Sequence, residues 1–329
     1  MSKFPPLLLL LALSLGAHAD LLLSGFSNNT VFRYDDAGML IGGGAFVTAG
    51  SGGLSAPHRP MIGADGNLYV ASANNDRILR YNGMSGAFID VFIQPGANGL
   101  PVNTLDYPVD MVIGPDGALY VSSQLNDSVV RFSPTTGAFV SVFVTAGSGG
   151  LDGPSGIAFH DGDLFVVGRF SNQVHRYNGT TGAPVGTGVF ATGLSTPYGI
   201  AFGADGNAYV ANGASNAILK FDGSTGAGLG AFVAPGGGGI SAPIGLEFGP
   251  GGSLYVASLN NNKVAKFDGT TGASQGDFVA PGSGVSGPNF FTFLPEPGVL
   301  VALISGTAIL LARRRRASRY GASESARLR

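Results

Sequence analysis

Six prolines recur along the chain, Pro57, Pro108, Pro154, Pro197, Pro243 and Pro288, and the residues just beyond them are the ones whose types could do chemistry. They are His58 and Arg59, Asp110, Ser155, Tyr198, Ile244 and Asn289. Glu247 is the only charge in the inner-strand segment Gly-Leu-Glu-Phe after Pro243, where matching segments carry Ala158 and Ala201. If the fold draws these segments together, Glu247, Asp110 and His58 are the candidates for acid–base work, because a carboxylate or an imidazole can hold and move a proton. Arg59, Tyr198 and Asn289 are the candidates for gripping a ligand through charge, ring and amide. No motif backs any of them as a catalyst. There is no Walker loop, no HExxH and no CxxC, and no Ser-His-Asp grouping follows from the spacing. His160 replaces a turn glycine and His175 takes an apolar strand position, so both read as packed or surface residues.

The elements that must position these residues are strands. Charged residues make up 12% of the 329 positions, about half the usual share, and glycine accounts for 55, which favours apolar strands and tight turns over amphipathic helices. Cysteine is absent, so no disulfide or thiolate metal site exists and stability must come from packing. The net charge of -2 hides a division: seven of eighteen Lys and Arg lie between Arg313 and Arg329. From Asp20 to Pro297 there are ten basic and nineteen acidic side chains, and the resulting net charge of about -9 repels phosphate backbones, which argues against nucleic acid as a partner.

The prolines mark a unit of 43 to 51 residues. Each unit shows an apolar strand such as Gly199 to Phe202, a turn such as Gly203-Ala204-Asp205-Gly206, and a second strand like Leu68 to Ser72. An Asn or Asp then recurs at one turn position, as Asn29, Asp76, Asp127, Asn172, Asn216 and Asn262. These residues tolerate left-handed backbone, so a tight turn between second and third strands accounts for them. A third strand follows with a β-branched residue and then an aromatic (Tyr34, Tyr81, Phe132, Tyr177, Phe221, Phe267). A fourth strand carries Phe46, Phe92, Phe143, Phe190, Phe232 or Phe278. Four short antiparallel strands with a period in the forties predict an all-β fold, a six-bladed β-propeller of four-stranded blades. The first unit lacks a first strand, and Asn289 to Phe293 is a first strand with nothing after it, so the ends complete the sixth blade together.

A basic residue precedes the third-strand aromatic in every unit: Arg33, Arg80, Arg131, Arg176, Lys220 and Lys266. A ring of positive charge could hold an acidic polysaccharide. The stronger reading is structural, a long stem lying over apolar surface with its head near a turn acid such as Asp65, Asp116, Asp161 or Asp205.

Both ends of the chain read as addresses. Lys3, the apolar run Leu7 to Leu15 and Ala17-His18-Ala19 form a secretory signal, residues 1–19, with cleavage after Ala19. At the other end, residues 295–316 hold Pro295-Glu296-Pro297, an uncharged apolar stretch over 298–312 that can enter a bilayer as a helix, and Arg313, Arg314, Arg315 and Arg316, which resist translocation. This order resembles the PEP-CTERM sorting domain of Gram-negative bacteria that make exopolysaccharide. That likeness implies a membrane protease, exosortase, as a partner, a transmembrane helix before processing, and exopolysaccharide or envelope proteins as company. A plain single-pass anchor with the same flanks is the alternative. Residues 317–329, a basic tail, depart from the pattern, since such signals end soon after the arginines. The expected location is an export route: a bacterial periplasm with the chain anchored in the inner membrane, then the cell surface or extracellular matrix.

Residues 20–294 form the propeller in this reading. Their Gly-x-Asp-Gly turn, Tyr-Val-Ala-Ser strand and basic-aromatic pair resemble NHL-repeat proteins and gluconolactonase-like propellers over residues 21 to 293. The resemblance implies the fold and leaves activity open. Gluconolactonase-like enzymes hold a divalent cation in the channel, which would place Ca²⁺ or Zn²⁺ on Glu247 and Asp110, with Asn289 as a possible amide ligand. Three readings therefore stand: a binding or structural module without a cofactor, a metal-dependent lactonase or related hydrolase, and protein recognition through one face.

Overall fold

The computed structural model describes residues 19–294. The N-terminal signal through position 18, the Pro-Glu-Pro segment, the expected membrane helix and the arginine cluster lie outside the described residues. Within them, no helix is long and apolar enough to cross a membrane.

Six antiparallel sheets stand around an axis as a six-bladed β-propeller. The recurrent prolines open the innermost strands: Pro57–Ile62, Pro108–Ile113, Pro154–His160, Pro197–Phe202 and Pro243–Phe248 in the first to fifth blades, and Pro288–Phe293 in the closing blade. Proline has no N–H to donate, and the first residue of a strand is where a ladder tolerates that loss. Each inner strand packs on the inner strands of both neighbours, so the ring is continuous. Chain ends meet in the closing blade, where Leu21–Gly25 pairs on one side with Thr30–Tyr34 and on the other with Pro288–Phe293, in a register that sets Leu21 opposite Phe293. The fourth strand expected through Phe46 does not form. That segment touches its neighbour only at Val31–Val47 and Tyr34–Leu40, because the run Gly42-Gly43-Gly44 begins with two left-handed residues and cannot extend. Five blades have four strands and the closing blade has three.

The repeated Asn or Asp does more than turn the chain. All six sit at positive φ, and each accepts a hydrogen bond at Oδ1 from the backbone N–H of the residue ahead of the next blade's proline. The donors are Ala56 to Asn29 (2.7 Å), Tyr107 to Asp76 (2.9 Å), Gly153 to Asp127 (2.8 Å), Thr196 to Asn172 (2.7 Å), Ala242 to Asn216 (2.7 Å) and Gly287 to Asn262 (2.8 Å). Four of these donors carry a Cβ and hold φ between 48° and 54°, a conformation costing about 1–2 kcal/mol each. The clasp offsets that strain and joins every blade to the next.

Between the blades lie six apolar clusters, one per interface. In five of them the centrepiece is an aromatic on the second strand, edge-on to the fourth-strand phenylalanine of its own blade: Tyr69–Phe92, Tyr120–Phe143, Phe165–Phe190, Tyr209–Phe232 and Tyr255–Phe278, with centroids 4.7 to 5.0 Å apart. Ring pairs of this kind add about 0.5–1.5 kcal/mol beyond their burial. In the absence of cysteine, these clusters hold the molecule together.

The clasp is checked by urea unfolding of two variants. Asn216→Gly keeps the left-handed turn but leaves the Ala242 N–H without its acceptor, and should cost about 1–3 kcal/mol. Asn216→Ala should cost more, since it loses the same acceptor and alanine tolerates left-handed backbone less well than asparagine or glycine. A neutral Asn216→Gly would show that the clasp contributes nothing.

Candidate functional site

Every inner strand slips register between its proline and the third residue after it, so the two intervening residues form a bulge. Bulges re-aim side chains and are frequent beside active sites. They separate the candidate residues into two layers around the axis. One layer holds His58, Val109, Ser155, Tyr198, Ile244 and Asn289; the next holds Arg59, Asp110, Gly156, Gly199, Gly245 and Phe290.

The second layer divides in half. A Cβ on Gly156, Gly199 or Gly245 would fall 2.6 to 2.8 Å from a carbonyl oxygen of the next inner strand, so third, fourth and fifth blades meet backbone to backbone there. Phe290, Arg59 and Asp110 fill the opposite half. Arg59 Nε donates to Asp110 Oδ1 at 2.6 Å, Nη1 donates to the Phe291 carbonyl at 2.6 Å, and Nη1 also lies 3.5 Å from Glu247 Oε2. The guanidinium sits 5.0 Å from the Phe290 ring centroid. Asp110, only 1% exposed, takes two further N–H donors, from Met111 at 2.8 Å and Ile157 at 3.0 Å. This network ties together every blade except the fourth. A buried carboxylate is tolerated only when paired and hydrogen-bonded in this way.

Glu247 stands two residues farther along its strand, in a row with Met61, Val112, Ala158, Ala201 and Thr292 at the other end of the channel. About a third of its side chain (32%) remains open to water while protein encloses the rest. Burial pushes its carboxyl up to about 7; Arg59 and the Phe293 N–H pull it down, and Asp110 pushes it up. The three residues Arg59, Asp110 and Glu247 thus belong to one charge network, in which a guanidinium stands between the two carboxylates that the metal reading assigned to a cation. No group of three His, Asp or Glu side chains arranged to hold a metal occurs among the described residues.

The first layer forms a different site. Asn289 Nδ2 lies 3.0 Å from His58 Nδ1. Burial, assisted by the charge of Arg169, lowers the His58 imidazole to about 3, so it is neutral near pH 7. His58 Nε2, Asn289 Oδ1 and Ser155 Oγ are buried without a protein partner. Above them stand Tyr107 and Tyr198, both half-buried, with Arg169 stacked 4.4 Å from the Tyr198 centroid. Arg169 makes no ion pair among the described residues, and its Nε is likewise unpartnered. Phe26 and Tyr107 flank the imidazole edge-on at 5.4 and 5.5 Å. The arrangement offers a cation, two phenol rings and several unspent donors and acceptors at one mouth of the channel.

Arg169 and Tyr107 were not among the sequence candidates, though their signal was present. Arg169 lies three residues before the repeated Asn172, where other blades have Phe26, Ala73, Gln124, Gly213 and Leu259. It is the only charge in that row. Tyr107 is the only aromatic among the six residues preceding the prolines.

The recurrent basic residues are structural. Each lies over a ring, from Lys220 on Tyr209 at 5.2 Å to Arg33 on Phe46 at 5.8 Å. Five also pair with an acid: Arg33 with Asp20, Arg80 with Asp90, Arg131 with Asp116, Arg176 with Asp163 and Lys220 with Asp205. Of the turn acids expected as partners, Asp116 pairs with Arg131, Asp205 with Lys220 and, at 4.0 Å, Asp65 with Arg80, which Asp90 holds more closely; Asp161 faces His160 instead of Arg176. His160 stacks on Phe202 at 4.0 Å, and His175 is buried against Ser171.

Glu247 binds its proton more tightly folded than unfolded, so its effect on stability falls as pH rises from about 4.5 to about 7. Glu247→Gln should flatten this part of a stability-against-pH curve and be the more stable protein at pH 8. Parallel curves for the two proteins would contradict the assignment. Arg59→Met should cost about 3–5 kcal/mol by leaving Asp110 buried without its cation.

No protein-family model and no curated protein matches the chain. Solved structures do. A chain of the nidogen/laminin complex superposes with a TM-score of 0.66 at 14% identity, over 84% of this chain and 98% of that one. A protein of unknown function from Bacteroides caccae gives 0.64 at 13%, over 84% and 99%. A streptogramin B lyase gives 0.53 at 16%, over 80% and 74%. At these identities the likeness is one of β-propeller fold alone.

Proposed function

We propose that the chain is an exported binding module of the bacterial cell envelope or extracellular matrix, and that its ligand is a sugar unit bearing a carboxylate, presented by an exopolysaccharide. The observation that carries this reading is Arg169, which has no ion pair among the described residues and stacks on Tyr198 at the channel mouth, above His58 Nε2, Asn289 Oδ1 and Ser155 Oγ, which have no partner among those residues. A sugar ring stacks on a phenol face, its acid meets the guanidinium, and its hydroxyls can both give and accept hydrogen bonds below. The body's net charge of about -9 gives no long-range attraction to an acidic polymer, so recognition depends on contact at this mouth. Export rests on the sequence of the first 19 residues. Anchoring, and processing by an exosortase-type protease, rest on the Pro295-Glu296-Pro297, apolar and arginine order.

The metal-dependent hydrolase reading has less support, because Glu247 and Asp110 already share Arg59. Elemental analysis after dialysis separates the two readings: the binding module should carry no stoichiometric Ca²⁺ or Zn²⁺.

Retention on uronic-acid-containing polysaccharide should fall at least about tenfold in Arg169→Gln and in Tyr198→Ala, as expected for central contacts. Glu247→Gln, at the other mouth, should bind as the parent protein does. Unchanged retention in both mouth variants would sink the site.

A further inference from the structure

A second repeat is broken at two neighbouring interfaces, and only one of them keeps half of it. In four interfaces the second-strand aromatic is edge-on not only to its own blade's phenylalanine but also to one from the inner strand of the next blade. These pairs are Tyr120–Phe159, Phe165–Phe202, Tyr209–Phe248 and Tyr255–Phe293, with centroids 4.8 to 5.0 Å apart. Between the closing and first blades both partners are aliphatic, Leu22 and Ile62. Between the first and second blades the ring is present, as Tyr69, but the inner-strand residue facing it is Ile113.

Beside Ile113 opens a cavity of about 340 Å³, lined among others by Met61, Tyr69, Phe92, Leu119 and Asp65, whose carboxylate is already engaged by Asn67 and Tyr69. Ile113 itself is 42% exposed. The matching cleft between fourth and fifth blades is larger, about 420 Å³, but Asp205, Lys220 and Asp268 line it, and with Phe248 in place it reaches neither Tyr209 nor Phe232. Only the first cleft reaches the aromatic pair of its interface.

We propose that this cavity is a binding site for a small uncharged aryl ligand, whose ring takes the place that Phe159, Phe202, Phe248 and Phe293 take at the other interfaces. The wall supplies what a ring needs: an edge-on aromatic pair in Tyr69 and Phe92, a flexible thioether in Met61, and aliphatic surface from Ile113 and Leu119. Its volume lies within the range of small-ligand pockets and exceeds what one ring fills. The site is at the end of the inner strands away from the prolines, so it is independent of the sugar reading at the other mouth.

The test uses the full chain and 4-fluorobenzyl alcohol at millimolar concentration, followed by fluorine NMR line broadening, with a fluorinated cyclohexyl alcohol as the aliphatic control. The parent protein should broaden the aryl probe and bind the control at least about tenfold more weakly. Ile113→Phe, which supplies the missing ring, should abolish aryl binding and raise the melting temperature. Ile113→Tyr supplies the same ring with a hydroxyl that can meet water, and should weaken binding even if the phenylalanine variant does not fold. Tyr198→Ala should leave binding unchanged. No aryl binding by the parent protein, equal binding of both probes, or undiminished binding in a filled variant that folds would overturn the proposal.

Discussion

Six times around the ring, an Asn or Asp held in left-handed backbone accepts at Oδ1 the hydrogen bond donated by the N–H of the residue ahead of the next blade's proline. This contact settles where each inner strand begins. The donor residue is itself in left-handed backbone, which a chain without such an acceptor would relax, and the proline behind it has no N–H to compete. With the start of every inner strand fixed to the preceding blade, the bulge after the proline falls at the same height in all six. The two layers of channel residues are a consequence.

Symmetry then explains what is structural, and departures from it locate what is not. The basic residues over their rings, the edge-on aromatic pairs and the clasps repeat because each blade solves the same packing problem. Glycine at one bulge position of three successive blades lets their backbones close the axis, and the other three blades supply Arg59, Asp110 and Phe290 in place of glycine. Burying Asp110 requires the guanidinium and two N–H donors together, so the network is an all-or-none feature of the closed ring. At the edge of that network, burial pushes the Glu247 carboxyl up to about 7 while Arg59 and the Phe293 N–H pull it down, whereas Asp110 is fully engaged with its donors.

Much of the fold was legible from the chain. The proline period, the recurring Asn or Asp, the aromatic rows and the mismatch between the first and last units led to six blades closed by both termini. The fourth strand of the closing blade was misread because Phe46 fits the aromatic row, whereas Gly42 and Gly43 before it turn the backbone left-handed. The site was legible in part: Arg59, Asp110, Glu247, His58, Tyr198 and Asn289 all lie at the channel. Their grouping was not, since the residues one and two positions beyond a proline look interchangeable in sequence and the bulge sends them to different layers. Arg169 escaped notice because it belongs to a turn row whose relation to the channel appears only when the blades are assembled.

The sequence by itself determined the number of blades, the left-handed turn positions and the absence of thiol chemistry, because these follow from spacing, backbone preference and residue inventory. The export and sorting signals proposed for the two ends rest on charge and apolar order alone. The tertiary structure decided which side chains meet: that the turn Asn and Asp reach across to the next blade, that Arg59 stands between the two carboxylates, and that Arg169 covers Tyr198. Each of those contacts joins residues tens to hundreds of positions apart in the chain, and whether a charge is paired or free depends on which strand lies beside it in space.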